Sequence, residues 1–256
     1  MNESIARVAR ALHRARQSHV ALAEESWTEA LPDAAAAYAV QDEVALLMGW
    51  SQAGTPACWK AGAPNAQSVP TFAPLPAPGV HVSPAWRERA GHFIAGIEAE
   101  VAFRLGRNVT LEEASKVQSE DVPALLDGMA VSIELVDSRW KGGMAAPALL
   151  RLADLQAHGA LVLGSWGPCQ AVDWQRQTCS VRVDGAEQGP YRASHPCGDP
   201  LWVVPHWLRH VAARCGTVPA GTVVTTGTWC GIVWLAHAAE VEVSFEGIGQ
   251  ARLTLG

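Results

Sequence analysis

Two glutamates stand two positions apart in the run Ile97-Glu98-Ala99-Glu100-Val101-Ala102-Phe103. Ile97, Ala99, Val101 and Phe103 alternate with Glu98, Glu100, Ala102 and Arg104, which is the period of a strand. Both carboxylates then leave one face only about 7 Å apart, and their repulsion must be relieved by water, a proton or a cation. Glu134 occupies a second apolar stretch, Val131-Ser132-Ile133-Glu134-Leu135-Val136, opposite in face to Ile133 and Leu135. If the two strands are neighbours, three hard oxygen donors converge, a set suited to Mg2+ or Mn2+ with positions left for water and substrate. The alternative is that Glu98 and Glu100 face solvent on a half-exposed strand, and spacing alone leaves both open.

The elements that must position these residues follow from periodicity. Ile5, Val8, Ala9 and Leu12 recur at helical spacing, and Asp33 can cap a second helix whose Val40, Val44 and Leu47 share a face before Gly49. Residues 61–90 hold Pro64, Pro70, Pro74, Pro76, Pro78 and Pro84, so elements there must be short. Beyond residue 92, strands are expected at 97–103, 131–136, 159–163, 180–184, 222–226 and 240–245. Thr110-Leu111-Glu112-Glu113 reads as a capping box opening a short helix. Asp199-Pro200 should start a helix reaching Gly216, kinked at Pro205, and residues 241–255 should close as a hairpin. The expected fold is α+β: a strand-rich mixed β-roll or barrel with a helical N-terminal lead-in, divided as residues 1–60 and a single functional core at 61–256.

Composition narrows the chemistry. The chain has 256 residues, 49% hydrophobic and 17% charged, with a formal net charge of −6, so no basic footprint for nucleic acid or anionic lipid is present. It contains no apolar run long enough for a membrane span, and Met1-Asn2-Glu3-Ser4-Ile5-Ala6-Arg7 carries charge where a secretory signal needs an apolar core. A cytoplasmic location is the expectation, with six scattered, reduced and mostly buried cysteines. Eleven tryptophans against four phenylalanines read chiefly as core fillers. No nucleophile elbow, phosphate loop or dinucleotide fingerprint occurs.

Three stretches carry a resemblance: 97–106 (Ile-Glu-Ala-Glu-Val-Ala-Phe-Arg-Leu-Gly), Ile133-Glu134-Leu135-Val136-Asp137-Ser138-Arg139 and Cys58-Trp59-Lys60-Ala61-Gly62. Together they resemble the 2-keto-4-pentenoate hydratase and oxalocrotonate decarboxylase branch of the fumarylacetoacetate hydrolase superfamily. The resemblance extends more weakly through residues 37–41, 159–164 and 221–228. It implies that Glu98, Glu100 and Glu134 bind a divalent metal, Mg2+ or Mn2+, that Lys60 lies in the active site, and that the fold is a β-roll of the fumarylacetoacetate hydrolase C-terminal-domain type. The implied substrate is a small 2-oxo or 2-hydroxy acid. The implied reaction is hydration of a 2-hydroxy-2,4-dienoate to a 4-hydroxy-2-oxo acid in aromatic meta-cleavage catabolism. Decarboxylation of a 2-oxo-3-enedioate and hydrolytic C–C cleavage of an acylpyruvate would use the same site, and a non-catalytic partner subunit is the reading from another class. The resemblance also implies a homo-oligomer, in a complex with a pathway aldolase or decarboxylase in some members.

Lys60 would shuttle a proton or stabilise an enolate, with its pKa lowered by metal and apolar walls. The segment Val69-Pro70-Thr71-Phe72 lacks the carboxylate that many such hydratases use to activate water. His158, in Gln156-Ala157-His158-Gly159, could replace it or could be hydrogen-bonded at a strand entry. Thr226, Gly227 and Thr228 could hold a substrate carboxylate or form an ordinary turn. Arg139 could reach a second substrate carboxylate or pair with Asp137 at the surface. His81 and His92 flank a possible lid and read as structural.

Overall fold

The computed structural model describes residues 3–50, 54–89 and 91–256; Met1, Asn2 and the last position of the Pro-rich segment lie outside the described residues. Its main sheet runs Thr71–Pro74, Cys58–Gly62, Val223–Thr225, Gly96–Leu105, Leu126–Val136, His158–Leu163, Val80–Val82, with Val233–Trp234 paired to the Gly96–Leu105 strand. Parallel and antiparallel pairs are mixed. A chemical reason for the curl of this sheet lies in its edges. The strands Thr71–Pro74 and Val80–Val82 stand at opposite edges, yet only residues 75–79 join them. Six strand spacings in a flat sheet amount to about 29 Å, whereas a fully extended five-residue connector spans roughly 20 Å. The sheet must therefore curl until its edges approach.

Curling gives the sheet an inner and an outer face, and the period of two sorts residues between them. Ile97, Ala99, Val101, Ile133, Leu135 and Val162 face out and join the main core with Val181, Val243 and Leu253 of a second sheet. That second sheet is built on Thr178–Val183, Ala239–Phe245 and Gly249–Leu255, the last two forming the expected hairpin. The inner face carries Lys60, Glu98, Glu100, Glu134 and Thr225, and beside them an apolar set of Cys58, Ala102, Leu161, Leu163 and Val223.

Helices Glu3–Ser18 and Ala34–Leu47 pair through Val8, Leu12, Val40 and Val44, and close over Trp140 and Leu150. Asp33 caps the second of them, accepting from Ala36 N–H at 2.8 Å. Buried Gln41 ties that helix to the roll by donating to the carbonyls of Phe72 and Leu152. The capping box at Thr110 and Glu113 forms as the pattern demands. The strand Cys58–Gly62 straddles the boundary expected at residue 60 and belongs wholly to the main sheet. The expected kinked helix is instead a 3-10 turn, Pro200–Val203, followed by an α-helix, Val204–Cys215. Pro205 falls in that helix's first turn, where its missing N–H has no bond to lose. Trp59, Trp140, Trp207 and Trp229 are core fillers, while Trp86 and Trp234 are exposed. All six cysteines are free, but only Cys58 and Cys179 are fully buried, fewer than expected.

Arg139 corrects another expectation. It is buried, not a surface residue, because Asp154 lies beneath it: Arg139 Nε donates to Asp154 Oδ1 at 2.7 Å and its backbone N–H to Oδ2 at 2.8 Å. Arg16 donates to the same carboxylate at 2.8 Å. Replacing Asp154 with Ala strands two guanidinium groups in the interior, and the expected loss is about 3–5 kcal/mol of unfolding free energy. Urea denaturation measures it; an unchanged midpoint would show that Asp154 holds nothing.

Candidate active site

The adjacent strands Gly96–Leu105 and Leu126–Val136 are antiparallel, in a register that sets Glu98 directly opposite Glu134 and Glu100 opposite Ser132. One carboxylate oxygen from each glutamate falls within 4.8 Å of the others. The solvent-facing alternative for Glu98 and Glu100 is excluded by the curl: Glu100 and Glu134 are buried on the inner face and Glu98 is half-buried.

Lys60 reaches the same group from the Cys58–Gly62 strand. Its Nζ donates to Glu134 Oε1 at 2.5 Å and to the Gln156 carbonyl at 3.2 Å. His158 Nδ1 stands 3.2 Å from the same Oε1. Oε1 of Glu134 thus accepts two hydrogen bonds, while its buried Oε2 has no partner among the described residues. That orphan oxygen faces an environment a cation would satisfy. Three ionised glutamates and one lysine sum to a formal −2, the charge a divalent ion neutralises. Hard carboxylate oxygens are the donors Mg2+ prefers. The residues fit such an ion, with Glu98, Glu100 and Glu134 as the side chains that would hold it.

The electrostatics express the same crowding. Burial, reinforced by Glu134 and Glu100 against the pull of Lys60, pushes Glu98 up to about 8. Burial and Glu134 raise Glu100 to about 7, although Lys60, Thr225 and the Gly227 amide oppose them. Glu134 is held below the usual carboxylate value, because Lys60 and His158 outweigh burial. Burial by itself depresses Lys60, but the glutamates, Glu134 foremost, lift it above the ordinary lysine value. Before any metal binds, Lys60 is therefore raised rather than lowered, and stands as a cation beside the glutamates. Burial lowers His158 despite Glu134, so it is a neutral imidazole that donates from Nδ1, and its buried Nε2 has no partner among the described residues. The hydrogen-bonded reading of His158 holds, and its partner at the strand entry is a candidate metal ligand.

The loop Thr226-Gly227-Thr228 borders the cluster in a different manner from that expected. Thr226 Oγ1 donates to the Val101 carbonyl at 2.9 Å, and Thr228 Oγ1 to the Gly231 carbonyl at 2.8 Å, so backbone oxygens occupy both hydroxyl protons. Gly227, at φ +104°, instead directs its N–H to Glu100 Oε2 at 3.2 Å. Arg139 is committed as well: besides Asp154 it donates to the His158 carbonyl at 3.0 Å and lies 3.7 Å from Asp137. It braces the strand that carries His158, and its donors are spent on protein groups, not aimed at a ligand. His92 pairs with Asp137 at 3.1 Å, and Asp137 also takes the Phe93 and Ile94 amides, so His92 anchors the entry to the glutamate strand. His81 shares the outward side of the edge strand with Val162.

Sequence reasoning missed three supports. Leu155, Gln156 and Ala157 adopt φ of 53°, 57° and 59°, three successive left-handed residues without a glycine. That turn aims the Gln156 carbonyl at Lys60, and no local residue type announces it. Asp154, beneath it, had no motif. Buried His195, whose Nε2 meets the Thr226 carbonyl at 2.8 Å, stood in no recognised stretch.

Comparison with known proteins agrees with this fold. Residues 62–255 match the family model described as fumarylacetoacetate (FAA) hydrolase C-terminal. Among solved structures, 4-oxalocrotonate decarboxylase from Pseudomonas putida G7, complexed with magnesium and adipate, superposes with a TM-score of 0.87 at 19% identity, over 100% of this chain and 98% of that one. The same enzyme with calcium and acetate gives 0.85 at 19% identity over the same shares. The 2-hydroxyhepta-2,4-diene-1,7-dioate isomerase from Mycobacterium marinum gives 0.61 at 17% identity, over 78% of this chain and 74% of that chain. No functionally curated protein matches in sequence. Among the described residues, no helix is long and apolar enough to cross a membrane.

A protonated carboxyl cannot ligate, so Mg2+ must displace the protons that Glu98 and Glu100 hold up to about 8 and 7. Affinity for Mg2+ should therefore climb between about pH 6 and pH 8 and then level. Titration calorimetry in two buffers of different ionisation enthalpy reads both the affinity and the protons released; a flat profile would contradict the shifted carboxyls. Glu134→Gln should remove Mg2+ binding, and retained affinity in that variant would sink the three-glutamate site.

Proposed function

The chain belongs to the fumarylacetoacetate hydrolase C-terminal family, and on that premise we propose that it is a divalent-metal-dependent lyase that decarboxylates a 2-oxo-3-enedioate. The observation that carries this reading is that Lys60 and His158 both hydrogen-bond Oε1 of Glu134, which leaves Oε2 without a partner among the described residues, beside Glu98 and Glu100. When bound there, a divalent cation supplies charge stabilisation for an oxygen at C2 of a 2-oxo acid.

The chain's own residues account for the rest. Loss of the distal carboxylate breaks one C–C bond, and its electron pair runs through the conjugated enone to the C2 oxygen, releasing CO2 and forming a dienolate. Lys60, held as a cation by Glu134, donates to that oxygen and can deliver the proton that yields the 2-hydroxydienoate. The apolar inner wall of Ala102, Leu161 and Leu163 excludes water from the reacting chain. No water need be activated, which suits the strand beside Lys60: its register partner is Ala73, and Thr71 follows opposite Gly62, neither of them a base.

Hydration of a 2-hydroxy-2,4-dienoate is the second reading. It is favoured by the bare Nε2 of buried, neutral His158, which could accept a proton from water. Either reaction would belong to catabolism of aromatic compounds, in a homo-oligomer with exposed Trp86 and Trp234 as candidate anchors or in a complex with a pathway enzyme.

Proton NMR of 2-oxohex-3-enedioate and of 2-hydroxypenta-2,4-dienoate, each with Mg2+ and with EDTA, decides between them. Mg2+-dependent loss of CO2 from the diacid is expected, and Lys60→Met should slow it about 10²–10⁴-fold. Conversion of the dienoate alone to 4-hydroxy-2-oxopentanoate would establish the hydratase instead. Turnover of neither would leave the acylpyruvate hydrolase and the non-catalytic partner.

A further inference from the structure

We propose that His195 is a positioning residue for the metal site, acting on Glu100 through the peptide between Thr226 and Gly227. The proposal rests on the reading of Glu98, Glu100 and Glu134 as metal ligands. His195 Nε2 lies 2.8 Å from the Thr226 carbonyl, and the Cys197 N–H is 3.3 Å from Nδ1. A carbonyl only accepts and an amide N–H only donates, so the partners dictate one tautomer: Nε2 carries the proton and Nδ1 is bare. The ring is 5% exposed, packed beside Trp229 at 5.6 Å between centroids. Burial lowers the imidazole to about 4, so the neutral form that this pattern needs persists at neutral pH.

The carbonyl that His195 holds and the N–H that Gly227 gives to Glu100 Oε2 at 3.2 Å belong to one peptide unit. In a trans peptide these groups point in opposite directions, so fixing one edge of the plane aims the other. The neighbouring bonds do not fix it alone. Thr226 is tied by its side chain to Val101, and Trp229 by its N–H to Ala99, but Gly227 between them is at φ +104° and has the freedom to rotate its peptide. A β-carbon at Gly227 would sit 3.5 Å from His195 Nε2, so the imidazole lies close against this residue. His195 closes the one degree of freedom that would let the N–H turn away from Glu100. Ligands aimed by such outer partners lose metal affinity when the partner is removed.

The test uses the full chain and Mn2+ as the probe, read by electron paramagnetic resonance and calorimetry. His195→Leu should weaken Mn2+ binding about tenfold or more, while His195→Gln, which keeps an N–H near the Nε2 position, should stay within about threefold of the parent. His195→Asn places its N–H nearer the Nδ1 position and should behave like His195→Leu. Parent binding together with unchanged affinity in folded His195→Leu and His195→Asn would overturn this assignment alone. Absence of Mn2+ binding by the parent would overturn the metal reading and this one with it. Should the variants fail to fold, long-range proton–nitrogen correlation on the parent reads the tautomer directly: a protonated Nε2 supports the assignment, and a protonated Nδ1 overturns it.

Discussion

Three carboxylates held within 4.8 Å of one another in the interior of a curled sheet repel each other strongly, and a single lysine offsets only part of that charge. The surrounding structure is built to withstand this repulsion. Two long antiparallel strands, Gly96–Leu105 and Leu126–Val136, fix the glutamate backbones in a continuous ladder. The outer faces of the same strands sit in the main core, so a glutamate cannot move away without dragging Ile97, Ala99, Ile133 or Leu135 with it. Glu134, the most enclosed, is bonded by both Lys60 and His158, while Glu98 and Glu100 take the rise in proton affinity.

Around this cluster lies a ring of groups that touch no carboxylate, or only one, yet set the directions of those that do. Asp154 gathers Arg16 and Arg139 and so secures the bend leading to Leu155, Gln156 and Ala157. The left-handed turn is tolerated because its two ends are held, by Asp154 on one side and by the His158–Leu163 strand on the other. Across the cluster, the loop through Gly227 does the equivalent for Glu100. The two supports differ in chemistry, one an ion-pair network and the other a neutral imidazole, but both spend polar groups on orientation in a place where water cannot provide it.

The parts of this site that could be read from the sequence are those with a local signature. Strand periodicity placed Glu98, Glu100 and Glu134 on the correct faces, and the capping residues Asp33 and Thr110 announced their helices. Lys60 had no such signature and emerged only through resemblance, since its partner Glu134 is 74 positions away. Arg139 was misjudged because its depth depends on Asp154, whose burial is a tertiary fact. The hydroxyls of Thr226 and Thr228 invited a binding role, but backbone carbonyls brought near by the fold claim them first. Left-handed backbone at Leu155–Ala157 was invisible, because the usual marker of that conformation is glycine and none is present.

The pairing of Cys58–Gly62 with Val223–Thr225 has a consequence for how the protein comes into being. In synthesis the lysine-bearing segment emerges ahead of both glutamate strands, but the strand it lies against, Val223–Thr225, is made after them. The glutamate pair can form its own ladder long before then, with no cation of the chain's own to face. Docking of the Cys58–Gly62 strand against Val223–Thr225 is what sets a cation before the acidic group, so the free energy of that docking includes relief of the carboxylates' repulsion. Distant pairings of this kind make folding slow, and they tie assembly of the site to the docking of two strands far apart in sequence.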